Sequence, residues 1–169
     1  KEFRDKIRNS KRIAVPGCYA SGFMMMVYPL IKMGIMGTDY PVCVTALSGY
    51  SGAGRRGIEA YESGDRPSEL ESPRQYALSQ GHKHLPEMQA ISGLTYPPMF
   101  NPLVCDYYAG MVVSVPLLGR LLNGAPSLEA VHEMFASHYA GQQFVKVRDL
   151  QGADVLENGF LPANTLAGN

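Results

Sequence analysis

Cys18 has the sequence context of a reactive thiol. It follows Pro16 and Gly17 and directly precedes an apolar segment typical of a buried helix. Free N–H groups and the helix dipole favour a thiolate at such a position, and Gly17 would let a substrate approach the backbone closely. A free cysteine is more often a small buried hydrophobic residue, and Cys43 and Cys105 keep that interpretation. Cys18 is therefore the candidate nucleophile.

A second cluster contains Tyr76, His82, His84 and Glu87. A thiol nucleophile needs a proton acceptor, and its leaving group needs a proton donor. Histidine can do both near neutral pH. The alternatives are two histidines on a solvated loop, or a zinc site whose third and fourth ligands are not evident nearby. We assign no metal to this cluster.

The glycine-rich segment 52–57 formally matches G-x-G-x-x-G after a predicted strand. The dinucleotide-binding interpretation is rejected, because an amphipathic helix and a second strand should follow and a polar segment follows instead. Exposed N–H groups, the hydroxyls of Ser48 and Ser51 and the guanidinium of Arg55 would suit a phosphate or a carboxylate. The alternative is a flexible turn.

Helices and strands are mixed along the chain without a strict strand–helix–strand alternation. This favours an α+β fold with a mixed, largely antiparallel sheet and helices on one face. We expect Pro29 to kink its helix or to begin a new turn, Gly34 to follow the helix end, and segment 61–75 to be a mobile surface loop. The predicted helices are Lys1–Asn9, Tyr19–Met33, His84–Ile91 and Leu128–Tyr139, and the predicted strands are Lys11–Val15, Tyr40–Leu47, Leu94–Val104, Tyr107–Leu118 and Phe144–Val147.

Length and composition predict one domain, residues 1–169, with an ordinary core. The formal net charge is zero, so nothing favours a nucleic acid or a membrane surface as the partner, and we expect a small-molecule ligand. Three cysteines without paired spacing favour a reducing cytoplasm over a secreted disulfide framework. The longest apolar stretch, Phe23–Ile31, is too short to span a bilayer.

Three ordered motifs together carry a family resemblance. They are Pro-Gly-Cys-Tyr-Ala at 16–20, Ser-Gly-Tyr-Ser-Gly-Ala-Gly-Arg at 48–55 and Gly-His-Lys-His-Leu-Pro-Glu at 81–87. The chain resembles the catalytic and dimerisation domain of N-acetyl-gamma-glutamyl-phosphate reductases, and more specifically the shorter, second subtype. The resemblance covers nearly the whole chain and implies a fold like the C-terminal domain of glyceraldehyde-3-phosphate dehydrogenase-type enzymes.

The resemblance implies reduction of N-acetyl-L-glutamyl 5-phosphate with NADP through a cysteine thioester, as a step of arginine biosynthesis. By motif position, Cys18 is the nucleophile and His82 the principal acid and base. Tyr76, His84, Glu87 and Arg55 are implied to bind or orient the substrate, and Ser51, Gly52, Ala53 and Gly54 to meet the nicotinamide end of NADP.

The family members are longer, so we expect this chain to be an excised domain that lacks the Rossmann domain binding most of NADP, and to be inactive alone. The family also implies a homodimer or homotetramer. Two alternatives remain open: a thiol acyl hydrolase or transferase that uses Cys18 and His82 without a cofactor, and a non-catalytic dimerisation module built on the strands at 94–118.

Overall fold

The structure is a computed structural model that describes residues 3–150 and residue 163. Within these residues a four-stranded mixed sheet packs against helices, which confirms the predicted α+β class. The helices are α1 (Arg4–Asn9), α2 (Cys18–Lys32), α3 (Gly54–Glu62), α4 (His84–Ser92) and α5 (Leu128–Tyr139). The strands are β1 (Cys43–Gly49), β2 (Arg74–Gln75), β3 (Met99–Cys105) and β4 (Met111–Ser114).

The strands lie in the order β2-β3-β1-β4. Strand β1 is parallel to β3, with Val44 opposite Phe100, and antiparallel to β4, with Ala46 opposite Val113. Strand β2 is antiparallel to β3. Two of the three pairings are therefore antiparallel, and the parallel pair brings the carboxyl ends of β1 and β3 to the same edge of the sheet.

One face of the sheet carries the core. Val44 and Ala46 are buried, whereas the alternating Thr45 and Leu47 are half-buried on the opposite face. Helix α2 lies on the core face, because a side-chain atom added at Gly22 would come within 2.8 Å of Val113. Helices α4 and α5 contribute to the same core. The buried cluster includes Phe23, Val27, Leu30, Leu85, Met88, Phe100 and Met134.

Helix α2 is the longest helix in the described part of the chain. Its apolar residues are buried on several sides, which explains why the sequence there is apolar on nearly every face. It begins at Cys18, one residue before the predicted start, and Pro29 lies within it without ending it. Gly34 follows its end with a positive φ of 71°, a conformation that favours glycine, as predicted.

Two local predictions are wrong. Segments 11–15 and 144–147 form no strand, since neither reaches a partner strand that could satisfy its backbone groups. Segment 61–75 is largely exposed, as predicted for a surface loop, but it also contains the end of α3, a buried Leu70 in a short 3-10 turn, and β2. Arg66 makes two hydrogen bonds to the Asp106 carboxylate, of 2.9 and 2.8 Å, and so ties this segment to the end of β3.

Candidate active site

A cavity of about 910 Å³ lies at the carboxyl ends of the parallel strands β1 and β3. The N-terminus of α2, the loop after β1, strand β2 and the segment before α4 all line it. Seven of the ten predicted site residues are in the lining: Cys18, Ser51, Gly52, Ala53, Tyr76, His82 and His84. The other three, Arg55, Glu87 and Gly54, are outside it.

Cys18 is the first residue of α2, and it is exposed where it borders the cavity. Gly17 precedes the helix and has no side chain that could accept from the free N–H groups. The Gly17 N–H donates instead to Oε2 of Glu87 at 2.9 Å. Glu87 lies in the first turn of α4, so this bond joins the turn before Cys18 to a second helix.

His82 lines the cavity beside this helix end. Its Nδ1 accepts a hydrogen bond of 3.2 Å from the backbone N–H of His84. A neutral imidazole carries one proton, so the ring that accepts at Nδ1 holds its proton on Nε2. Partial burial, followed by the charges of His84 and Lys83, lowers the pKa of His82. The neutral ring is therefore favoured, with Nε2 as its donor.

His84 occupies the space that the absent side chain of Gly17 leaves free. It is only 5% exposed, and a Cβ added at Gly17 would lie 2.0 Å from Nε2 of His84. Burial lowers the pKa of His84, and the charge of Glu87 opposes that shift. The small size of Gly17 was expected to let a substrate approach, but in the structure it accommodates this ring.

Three hydroxyl groups of the cavity lining form a hydrogen-bonded chain. The Tyr76 hydroxyl donates to the Tyr19 hydroxyl at 3.2 Å, and Tyr19 and Ser48 share a bond of 2.6 Å. Ser48 donates to the backbone carbonyl of Leu103 on β3 at 3.4 Å. Burial and the bond to Tyr19 raise the pKa of Tyr76 well above its ordinary value, so Tyr76 remains a neutral phenol.

The segment that connects β3 and β4 supports the loop after β1 through backbone hydrogen bonds. The N–H groups of Gly49, Tyr50 and Ser51 donate to carbonyls of residues 107–110, each at 2.9 Å. A Cβ at Gly49 would lie 2.6 Å from the carbonyl oxygen of Tyr108, so this close approach of two backbones requires glycine. These contacts hold Ser51, Gly52 and Ala53 against the cavity.

A helix follows this glycine-rich loop, contrary to the sequence-based prediction. Gly54 begins α3 with a positive φ of 73°, and Arg55 on its first turn is exposed and pairs with Glu59 at 2.8 Å. The next strand, β2, has two residues and runs antiparallel to β3, so the loop does not open a strand–helix–strand dinucleotide unit.

Two basic residues of the lining, Arg74 and Lys83, were not predicted from the sequence. Arg74 lies on β2, where its guanidinium donates to the Tyr61 hydroxyl at 3.2 Å and packs over the Tyr61 ring. Lys83 stands between the two histidines, and this position was a usable signal. Arg74 gave no comparable signal, because only the pairing of β2 with β3 brings it to the cavity.

Within residues 3–150 and 163, no group of three or more His, Cys, Asp or Glu residues could hold a metal ion. No helix in the same part of the chain is long and apolar enough to cross a membrane.

Residues 18–158 match the family described as semialdehyde dehydrogenase, dimerisation domain. The chain therefore belongs to this family. It is 39% identical over 175 residues to the N-acetyl-gamma-glutamyl-phosphate reductase of Trichormus variabilis, and the alignment covers 98% of this chain and 53% of that protein. A reductase of the same name from Brucella anthropi is 40% identical over 166 residues, with the same two shares covered.

The same-named protein of Burkholderia lata is 42% identical over 144 residues, which cover 85% of this chain and 45% of that protein. These matches confirm the resemblance inferred from the three motifs. The chain spans about half the length of the curated relatives it matches.

Proposed function

We propose that this chain carries the acyl-transfer site of an NADP-dependent N-acetyl-gamma-glutamyl-phosphate reductase of arginine biosynthesis. The product would be N-acetyl-L-glutamate 5-semialdehyde. The observation that carries the proposal is the exposed Cys18 at the start of α2, in one cavity with His82. The names of the relatives support the substrate, and the family membership supports the semialdehyde product.

In the first step the Cys18 thiol releases its proton to solvent and its sulfur attacks the acyl carbon of the substrate. A carbon–sulfur bond forms, and the bond between the acyl carbon and the oxygen that bridges to phosphorus breaks. Inorganic phosphate leaves with the electron pair of that bond and takes up a proton from solvent. The result is a thioester on Cys18. The positive charges of Arg74 and Lys83 in the lining would stabilise the phosphate before it leaves.

His82 acts in this step as a hydrogen-bond donor from Nε2 to the oxygen on which negative charge develops, and its neutral ring keeps its proton. The His84 N–H that donates to its Nδ1 supports this assignment. A role as proton acceptor at Nε2 would require the ring proton to move to Nδ1, which would break that bond. His84 itself is a positioning residue, buried between Gly17 and the ring of Tyr19, whose centroid lies 5.6 Å away.

NADPH, when bound, supplies the hydride that reduces an acyl thioester to an aldehyde. Ser51, Gly52 and Ala53 fit contact with its nicotinamide end, because they line the same cavity as Cys18 and nothing lies within 4 Å of a Cβ added at Gly52. Gly54 would shape the end of this loop. Arg55 forms an ion pair with Glu59, and it would have to break this pair before it could contact a ligand.

Self-association and a reducing compartment complete the proposal. The family description suggests oligomerisation, and the sheet face opposite the core presents half-buried apolar side chains to a second copy. A homodimer or homotetramer is the expected assembly. All three cysteines are free, which supports a cytoplasmic location where a catalytic thiol stays reduced.

The test is intact mass and peptide mapping after incubation with N-acetyl-L-glutamyl 5-phosphate. We expect one acyl group per chain on Cys18, because its thiol is exposed in the cavity, and none on Cys43 or Cys105. Cys18→Ser should give no adduct, and the matched Cys43→Ser should behave as the native chain. Acylation spread over all three cysteines, or absent, would overturn the proposal.

The acylation assay also tests whether His82 acts through its Nε2–H group. His82→Gln keeps an N–H near the position of Nε2 and should retain more of the acylation rate than His82→Asn, whose N–H lies near the position of Nδ1. Loss of a hydrogen-bond donor to a developing negative charge costs about 10²- to 10³-fold in rate. Continuous release of phosphate without NADPH, beyond one equivalent per chain, would favour a thiol acyl hydrolase or transferase instead.

A further inference from the structure

The hydroxyl chain Tyr76–Tyr19–Ser48 has a fixed direction. A hydroxyl group has one proton to donate, and a backbone carbonyl can only accept. The Tyr76 hydroxyl donates to Tyr19, so the proton of Tyr19 is left for Ser48 across their 2.6 Å bond. Ser48 in turn donates to the Leu103 carbonyl at 3.4 Å.

This direction decides what Tyr76 can offer to a ligand. Its proton is engaged with Tyr19, and within residues 3–150 no group donates to its oxygen. Tyr76 lines the cavity and is half-buried. The phenolic oxygen therefore faces a ligand as an acceptor, although a tyrosine in a binding site can in general donate as well as accept.

We propose that the Tyr76 oxygen accepts a hydrogen bond from an amide N–H of the substrate and so selects N-acylated acyl phosphates. This inference rests on the proposed function. An N-acetyl-glutamyl phosphate carries a carboxylate, a phosphate and two carbonyl groups, all of which accept at neutral pH. Its amide N–H is the one strong donor, and Tyr76 is matched to that group.

The charged residues of the cavity lining are suited to the substrate groups that accept hydrogen bonds, which leaves Tyr76 for the amide N–H. Arg74 and Lys83 are donors that suit the carboxylate and phosphate oxygens. If a carbonyl or ester oxygen lay against the Tyr76 oxygen, two acceptors would face each other. The ligand oxygen would lose its hydrogen bond to water and gain none in return. Tyr76 thus rejects ligands that lack the donor, in addition to binding those that have it.

The experiment compares two ligands that differ in one group. The first is N-acetyl-L-glutamyl 5-phosphate, and the second is its ester analogue, 2-acetoxyglutaryl 5-phosphate, in which oxygen replaces the amide N–H. Acylation of Cys18 is followed by intact mass in the native chain. Dissociation constants are measured by titration of Cys18→Ser, which cannot form the thioester.

We expect the acylation rate of the native chain and the affinity of Cys18→Ser both to favour the amide by about tenfold or more. Tyr76→Phe should lower the affinity for the amide and leave the ester nearly unchanged. Tyr19→Phe and Ser48→Ala both keep the Tyr76 oxygen but break the row of hydroxyl hydrogen bonds. Tyr76 then no longer has to donate to Tyr19, so it can turn its proton toward the ligand. Both should therefore reduce the preference by improving the ester.

Thermal melts verify that each variant is folded, and Ser48→Ala substitutes for Tyr19→Phe should the latter not fold. The inference is overturned if Cys18→Ser binds the two ligands with equal affinity. It is also overturned if folded Tyr19→Phe or Ser48→Ala keeps the full preference for the amide. Either result leaves the proposed function standing. Binding of neither ligand overturns the inference as well. Amide-selective binding without acylation of Cys18 would support the inference and contradict the proposed chemistry.

Discussion

Gly17 shows how one missing side chain positions the candidate site. The His84 ring fills the space beside the Gly17 backbone, and its backbone N–H holds the neighbouring His82 ring at Nδ1. The two imidazole centroids are 4.7 Å apart, and both rings lie near Tyr19. A change at Gly17 is therefore transmitted to His82 through contacts rather than through charge.

Gly17→Ala tests this arrangement. The new Cβ would lie 2.0 Å from Nε2 of His84, and the buried ring cannot move without displacing its neighbours. We expect a loss of about 1–3 kcal/mol in the free energy of unfolding, as for other overpacked sites, together with slower acylation of Cys18. Urea melts and the intact-mass assay measure the two effects.

Gly64→Ala is the matched control, since nothing lies within 4 Å of a Cβ added there. It should change neither property. Equal stability of the two alanine variants would show that the ring of His84 does not occupy the space beside Gly17.

At the scale of elements, the bond between Glu87 and the Gly17 N–H couples α4 to the start of α2. Glu87→Ala removes the acceptor and leaves that partly buried N–H unpaired. A hydrogen bond to a charged group contributes about 1.5–3 kcal/mol, so we expect a loss within that range. Slower acylation should accompany it, because Cys18 follows Gly17 directly.

Glu87→Gln separates positioning from charge. The amide oxygen of glutamine can still accept from Gly17, so this variant should recover most of the stability and of the acylation rate. Glu133→Ala on the exposed face of α5 is the control for removal of a carboxylate. If Glu87→Gln were as slow as Glu87→Ala with its stability restored, the negative charge would be the essential property.

The elements differ in how far the sequence predicts them, and the reason is the range of the contacts that form them. Helix α2 is predictable because its own apolar residues and Gly34 define it locally. Strand β2 is not, since two residues form a strand only where β3 already offers an edge. Arg74 enters the cavity through that pairing, so no local pattern could assign it.

The candidate site follows the same rule. Cys18, His82 and His84 were predicted because motifs keep them in order along the chain, and the structure brings them to one cavity. The role of Glu87 was less accessible: its motif indicated a site residue, but its partner is a backbone N–H seventy positions earlier. Side-chain type predicts such an acceptor, whereas only the packing of α2 against α4 selects its donor.

At the scale of the whole molecule, the two faces of the sheet have separate tasks. The core face supports α2 and thereby Cys18, while the opposite face carries Leu47, Leu103 and Val112 in one register row. These three side chains are half-buried. We therefore expect assembly through the opposite face to be separable from the proposed acylation of Cys18.

Leu103→Lys tests that division. A charge in this row should prevent a second copy from packing there, because an unpaired ammonium is costly to bury. We expect the native chain to sediment as a dimer or larger, and Leu103→Lys as a monomer that still acylates Cys18. Leu78→Lys, at a side chain 73% exposed and outside the sheet, should keep the native mass. A monomeric native chain would contradict self-association through this face. A Leu103→Lys chain of unchanged mass and normal circular dichroism would place the contact elsewhere. A Leu103→Lys monomer that is unable to acylate Cys18 would mean that assembly completes the site.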